Sequence, residues 1–233
     1  VQDGVTGFFR RDSHRLIDVE RCPISCDEVN SALAGLRARN PRDGHYTLRT
    51  SASRRVFSQT NDEVANALRD LVVGLVPPNQ DILIDAYCGA GFFAKALLHK
   101  FRRVIGLDWD RFAIAAATEN ANEKESYIAS DVEEELAVID RSAVLGTEVA
   151  LRKSPRLLTL VVDPPATGLS GKVRRTIVDL APTTLIYVSC NPATLARDLK
   201  DLQANFTIQS VTPLDMFPQT AEIEAVAHLK FRR

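Results

Sequence analysis

The stretch DILIDAYCGAGFF, residues 81–93, holds a buried run, a glycine turn and the start of an apolar helix in immediate succession. Asp81–Ala86 is short and apolar, as a strand covered on both faces requires. Gly89 and Gly91 let the backbone turn tightly, and Phe92–Lys100 continues with helical spacing. A strand that feeds a helix through a tight turn is the first half of a β-α-β unit. The fold therefore depends on whether the unit repeats.

It does. Upstream, Asn61 is placed to cap a helix whose apolar face runs through Val64, Leu68, Leu71 and Val72 and which stops at Pro77-Pro78. Downstream come a strand at Arg103–Leu107, an Ala-rich helix at Asp110–Asn122, a short strand at Ser126–Ala129 and a mostly helical segment at Glu133–Lys153. Leu157–Val162, Leu185–Ser189, Thr207–Val211 and Ile223–Phe231 read as further strands, with helices over Lys172–Leu180 and Pro192–Asn205. The alternation predicts an α/β fold, a mostly parallel seven-stranded sheet with helices on both faces, over residues 61–233. Residues 1–60 have weaker periodicity and read as a separate small region with a turn at Pro41–Gly44.

Composition narrows the function classes little. The 233 residues are 45% hydrophobic and 25% charged, with a net charge of −1, as expected of a packed domain with no global affinity for polyanions. Residues 1–60 depart from this, with ten Arg against seven acids. Arginine grips phosphate bidentately, although a solvated Arg-rich surface is the plainer reading of composition alone. Four scattered cysteines, Cys22, Cys26, Cys88 and Cys190, suit a reducing cytosol better than a disulfide scaffold. Cys22 and Cys26 have no second Cys or His pair nearby, so neither a closed zinc site nor any other metal is expected. No apolar run approaches the length needed to span a bilayer, and no signal-peptide pattern is present. The chain opens on Val1 rather than Met, as a piece of a longer protein would.

In an open parallel sheet, ligands bind outside the carboxyl ends of the strands, and the unusual residues here cluster at such ends. The turn after Asp85, with Gly89 and Gly91, is not G-x-G-x-x-G and so lacks the pyrophosphate fingerprint. It suits a nucleoside ligand without phosphates, such as S-adenosylmethionine. Asp108, 23 residues after Asp85, stands where a carboxylate can accept both ribose hydroxyls, and Asp131 where one can meet an adenine edge. A doubly wound domain with another nucleotide, or with none, is the alternative.

The next two strand ends carry Asp163-Pro164-Pro165 and Ser189-Cys190-Asn191-Pro192. The prolines aim the preceding carboxylate. Methyltransferases acting on exocyclic amines often place an aromatic residue after a similar motif, and here Ala166 follows, which weakens that reading. An arbitrary cysteine is more often a core residue. Cys190 differs in facing the ligand crevice beside a helix N-terminus, where a thiol pKa is lowered. A thiolate can add to carbon 6 of a uracil and make carbon 5 nucleophilic, after which a base must remove the carbon-5 proton. Glu222 and Glu224 are both candidates for that base, on one face of the last strand.

FSQTN (57–61), DAYCGAGFF (85–93), DPPATGL (163–169), VSCNP (188–192) and PLDMFPQTAEIEAV (213–226) together resemble the S-adenosylmethionine-dependent RNA uracil-carbon-5 methyltransferases, which make 5-methyluridine in tRNA or ribosomal RNA. HRLIDVERCPISC (14–26) is similar to the segment that precedes their catalytic domain. The resemblance implies a Rossmann-like class I methyltransferase fold, with residues 61–233 as the catalytic domain. It implies Cys190 as nucleophile and Glu224 as base, and assigns Gln59, Phe57 and Asp163 to the uracil. It also implies that Asp85, Gly89, Gly91, Asp108 and Asp131, together with Gln59 and Asp163, line the cofactor pocket.

The chain departs from the family at several points. Ala166 stands where Arg usually follows Asp-Pro-Pro, Glu222 where His is frequent, and Asp108 where Glu is common. Arg174 or Arg175 offers a substitute RNA grip, against the plainer reading of a solvated helix face. Arg10, Arg11, Arg54 and Arg55 are the candidate phosphate contacts of residues 1–60. The N-terminal β-barrel and the iron–sulfur cysteines of some members have no counterpart in this sequence. Two rivals stay open: a cofactor- or RNA-binding module without turnover, and an amine or small-molecule methyltransferase.

Overall fold

The computed structural model describes residues 1–10, 13, 15–23, 25–48, 62–139, 157–216 and 223–232. The chain divides into two compact units, Val1–Asn61 and Asp62–Arg233.

In the first unit, strands β1 (Gly7–Phe9) and β2 (Leu16–Asp18) pair antiparallel and are followed by helix α1 (Asp27–Ala38). Gly7 must be glycine, because a Cβ there would meet Ile17 O at 1.8 Å. Arg37 of α1 donates to Asp18 Oδ1 at 2.5 Å and to the carbonyls of Thr6 and Val19, tying helix to hairpin. The Asn30 amide donates to the carbonyls of Cys22, Ser25 and Cys26 and accepts from Cys22 N–H. The two cysteines thus frame the turn that enters α1.

The second unit is built on a seven-stranded sheet. Its strands are β3 (Gln80–Ala86), β4 (Phe101–Asp108), β5 (Glu125–Ala129), β6 (Leu158–Val162), β7 (Thr184–Ser189), β8 (Phe206–Leu214) and β9 (Glu224–Phe231). Their spatial order is β5-β4-β3-β6-β7-β9-β8. The first five run parallel, and β9 lies antiparallel between β7 and β8. After β3 the chain builds outward to β5, then crosses back to place β6 on the other side of β3. The crevice at that reversal is where such sheets bind ligands.

Two apolar layers cover the sheet. On one face, α2 (Asp62–Leu75) and α3 (Phe92–Leu97) set Leu68, Val72, Phe93 and Leu97 against Leu83, Val161, Ile186 and Val226. On the other, α5 (Val132–Val138), α6 (Gly171–Leu180) and α7 (Pro192–Leu202) set Leu136, Ile177 and Leu199 against Ile84, Leu160 and Tyr187. Side chains of this size contribute about 1.5–3 kcal/mol each when buried, so the central strands tolerate little polarity. The helix starts were written in the sequence: Asp110 caps α4 (Arg111–Thr118), Asp131 caps α5, Ser170 caps α6 and Asn191 caps α7. Lys100 Nζ closes the other end of α2, donating to Val73 O and Val76 O at 2.6 Å.

The expected strands and helices of this unit are present, with shifted ends. The Ala-rich helix stops at Thr118 rather than Asn122, and the helix from Phe92 tightens into a 3₁₀ turn at Leu98–Lys100. Helix α5 covers Val132–Val138, and most of the remaining segment to Lys153 lies outside the described residues. None of the described helices is long and apolar enough to cross a membrane.

Candidate active site

The strand order lines up the candidate residues along one edge of the sheet. Asp131 follows β5, Asp108 ends β4, Asp85 and the glycine turn end β3, Asp163 follows β6, Cys190 follows β7, and Glu224 opens the antiparallel β9. Residues up to 139 positions apart in the chain thus lie at the same end of six neighbouring strands.

At the reversal, Asp85 is fully buried; its Oδ2 accepts from Ala94 N–H at 2.8 Å, while Oδ1 is buried with no partner among the described residues. Burial pushes its pKa up to about 7, against the pull of the Ala94 bond and with a further push from Asp108. Three residues of the adjoining turn take left-handed backbone: Tyr87 at φ +66°, Gly89 at +53° and Gly91 at +84°. For tyrosine this is strained, which marks the turn as constrained by its surroundings. Among the described residues nothing lies within 4 Å of where a Gly89 Cβ would sit, so the turn is open there. Beneath it, Tyr127 fills the room left by two glycines: a Cβ on Gly106 would meet its ring at 2.5 Å and one on Gly91 its hydroxyl at 3.1 Å.

Asp108 braces the same turn. Its Oδ2 accepts from Gly89 N–H and its Oδ1 from Asp110 N–H, both at 2.8 Å. Each oxygen keeps a further lone pair for a hydroxyl donor. Asp131 is exposed and its Oδ1 takes the Glu133 and Glu134 N–H groups at the start of α5. Orphaned Asp85 Oδ1, the open Gly89 turn and the lone pairs of Asp108 fit the amino, ribose and adenosyl parts of a phosphate-free nucleoside. Cys88 is buried against Asp85 and Asp108, and burial pushes its thiol pKa up, so it is an inert part of the turn.

The remaining candidate residues lie across β6, β7 and β9. Asp163 opens on the crevice but is surrounded mostly by protein. Loss of water, then the charges of Glu224, Asp85 and Asp108, hold its pKa well above the usual carboxylate range. Four carboxyl groups therefore share one neighbourhood. Glu224 is 5% exposed and burial raises its pKa to about 7. In the β7·β9 ladder Val188 pairs with Val226 and Ser189 with Ala225, where the ladder ends; Cys190 directly follows β7 and Glu224 opens β9 at that same end. Cys190 is partly exposed, and no disulfide joins the four cysteines. Asn191 caps α7 by accepting from Ala193 N–H at 3.0 Å and Thr194 N–H at 3.4 Å, which fixes the helix start directly after Cys190.

Phe57, Gln59, Asn61, Glu222, Arg11, Arg54 and Arg55 lie outside the described residues. Arg10 is exposed on the first unit. Arg174 needs a correction. It is neither a solvated helix residue nor an available grip: its side chain is 17% exposed and is paired with Asp198 at 2.7 Å and Asp201 at 2.9 Å. Asp198, Arg197 and Gly168, absent from the sequence reading, hold the loop after Asp163. A signal existed: Asp198 falls on the apolar stripe Leu195, Leu199, Leu202, where a carboxylate has to be buried and therefore paired.

The tRNA (Uracil-5-)-methyltransferase family matches residues 40–232. An uncharacterized RNA methyltransferase of Bacillus cereus is 36% identical over 185 residues, covering 78% of this chain and 39% of that protein. One from Streptococcus agalactiae is 38% identical over 185 residues, covering 77% and 39%. The chain thus spans about two fifths of the length of these curated relatives. Among solved structures, a tRNA (uracil-54, C5)-methyltransferase of Pyrococcus abyssi in complex with S-adenosyl-L-homocysteine superposes with a TM-score of 0.59 at 31% identity, over 74% of this chain and 40% of that one. An rRNA methylase of Streptococcus thermophilus, at TM-score 0.50 and 14% identity over 72% of this chain and 95% of that one, shares the fold. With the Asp-Pro-Pro and Ser-Cys-Asn-Pro strand ends on one edge of a methyltransferase sheet, the chain belongs to the tRNA (uracil-5-)-methyltransferase family.

Proposed function

We propose that this chain transfers a methyl group from S-adenosylmethionine to carbon 5 of a uridine in RNA, through a covalent adduct between Cys190 and the uracil ring. The observation that supports the reading best is the β7·β9 ladder: its last pair is Ser189 with Ala225, so Cys190 and the buried Glu224 are the next residues at that end of the two strands, with the Glu224 charge felt at Asp163.

Asp85, the Gly89–Gly91 turn and Asp108 would hold the cofactor, with Asp131 at its adenine end and Asp163 and Gln59 toward its reactive end. The cofactor supplies a methyl group on a positively charged sulfur, and the carboxylates around it favour that charge. Cys190, as thiolate, adds to carbon 6 of the uracil and leaves carbon 5 as a nucleophilic enolate carbon. Asp163 orients the uracil edge, and the family resemblance adds Gln59 and Phe57 as uracil-binding residues. After carbon 5 has taken the methyl group, Glu224 removes its proton, the ring double bond re-forms and the thiolate leaves. A pKa near 7 suits a group that must accept that proton at neutral pH.

A uracil reaches Cys190 only outside a base stack, so the substrate is a loop or single-stranded uridine of tRNA or rRNA. A thiol nucleophile also needs reducing surroundings, such as the cytosol. Arg10, with Arg11, Arg54 and Arg55, contributes phosphate contacts, and RNA affinity should fall as salt rises. The test is transfer of tritium from labelled cofactor to undermethylated RNA, with the modified base mapped by sequence position. The reading expects 5-methyluridine from the wild type and none from Cys190→Ala. Retained transfer by Cys190→Ala would favour an amine or small-molecule methyltransferase, and tight RNA binding without transfer by the wild type a binding module.

A further inference from the structure

Asp198 has no exposed surface, and of the side-chain bonds it accepts, those from Arg174, Tyr187 and Leu169 tie helix α7 to other elements near the site. Its Oδ1 accepts from Arg174 Nη1 at 2.7 Å and Arg197 Nε at 2.8 Å. Its Oδ2 accepts from the Tyr187 hydroxyl of β7 at 2.7 Å and from Leu169 N–H at 2.8 Å. The loop carrying Leu169 is fastened at further points. Thr194 Oγ1 donates to Ala166 O at 3.1 Å, Arg197 Nη2 to Thr167 O at 3.0 Å, and Arg174 and Arg197 both to Leu169 O. Gly168, at φ +74°, lets this loop lie against the carboxylate, since a Cβ there would meet Asp198 Oδ2 at 2.6 Å.

The loop is the continuation of Asp163-Pro164-Pro165, and α7 is the continuation of Cys190-Asn191. One buried carboxylate therefore joins the segment carrying the Asp163 carboxyl group to the helix that starts beside the thiol. We propose that Asp198 is a positioning residue that holds Asp163 and Cys190 at one fixed spacing through the reaction. The role rests on the function proposed above. Asp198 touches neither reactant and acts through the Ala166–Leu169 backbone and α7. A brace of this kind bears on rate rather than affinity, because misplacing reacting groups by about 1 Å can cost on the order of 10²-fold.

The experiment measures adduct formation with 5-fluorouracil-containing RNA, expressed per titrated active site. The variants are Asp198→Asn, the milder Tyr187→Phe, and Gly168→Ala, with Asp201→Asn as the control that removes only Arg174's exposed partner. The expected result is a fall of roughly 10- to 100-fold for Asp198→Asn and a few-fold for Tyr187→Phe and Gly168→Ala, with RNA and cofactor Kd within about twofold of wild type. Asp201→Asn keeps the wild-type rate. A merely structural carboxylate would reduce the titratable fraction and the Tm while leaving the rate per site unchanged, and that outcome overturns the proposal. Should the wild type form no adduct, the function reading fails, and the brace is decided by the rate at which iodoacetamide alkylates Cys190, followed by peptide mass. Thiol reactivity reports local surroundings, so a change of about threefold or more in Asp198→Asn and Tyr187→Phe, absent in Asp201→Asn, supports the brace. Equal rates overturn it.

Discussion

After burial itself, the charge of Glu224 is the strongest influence raising the pKa of the Asp163 carboxyl group above the usual range. Glu224 has its own pKa raised to about 7 by burial. The basic form of Glu224 is therefore scarce in mild acid and complete only above neutrality. Single-turnover release of the methylated RNA from the covalent adduct, the step in which Glu224 takes the carbon-5 proton, should rise roughly tenfold per pH unit on the acid side and level off near pH 7. Glu224→Gln should lose both the rate and that acid limb. A flat profile in the wild type between pH 5.5 and 8.5 would remove Glu224 from the role of base.

Asp85 predicts a pH dependence of stability. Its folded pKa, about 7, is above its ordinary value of 3.8, so the folded state binds the proton more tightly than the unfolded state. The resulting contribution to stability is complete below pH 3.8 and is lost as pH rises through about 7. Asp85→Asn should therefore leave stability nearly unchanged in acid and raise it at pH 8 by the order of a few kcal/mol. Urea unfolding at pH 3.5 and pH 8 reads this directly, and cofactor affinity should fall in the same variant.

Gly106→Ala should damage the cofactor turn from below. The new Cβ would lie 2.5 Å from the Tyr127 ring and 2.9 Å from Cys88 Sγ, in a layer with no slack. Overpacking of this kind costs about 1–3 kcal/mol. Differential scanning calorimetry should show a lowered Tm, and titration with the cofactor a weakened Kd, while RNA affinity is unaffected.

Arg174 and Arg10 should separate cleanly. Arg174→Ala removes one of the two guanidinium partners of a fully buried carboxylate, a loss of about 3 kcal/mol, with no change in how RNA affinity depends on salt. Arg10→Ala, at an exposed position, should alter stability by less than about 0.5 kcal/mol and reduce the salt slope by about one unit. The reverse pattern would restore Arg174 as an RNA contact.

The parallel sheet was readable because its strands are short apolar runs bounded by turn residues and alternating with segments of helical spacing. What placed Glu224 was longer in range. Only the insertion of β9 between β7 and β8 brings it to the end of β7 that Cys190 follows, and no local pattern encodes that crossing. The hairpin β1–β2 and helix α1 of the first unit escaped the sequence reading because three-residue strands carry almost no periodicity. Tyr87 was hidden for another reason: its left-handed backbone runs against its own preference and is imposed by the turn. Asp198 was legible in principle, as a charge on an apolar stripe, but its partners Leu169 and Tyr187 are brought to it by tertiary packing.

The account stands most directly on covalent chemistry at Cys190. Wild-type protein incubated with S-adenosylmethionine and RNA carrying 5-fluorouracil, which has no removable carbon-5 proton, should give a denaturation-resistant protein–RNA adduct whose mass maps to the Cys190 peptide. Cys190→Ala should give none. An adduct absent from the wild type while uridine in ordinary RNA is still methylated at carbon 5, or an adduct attached through another residue, would contradict it.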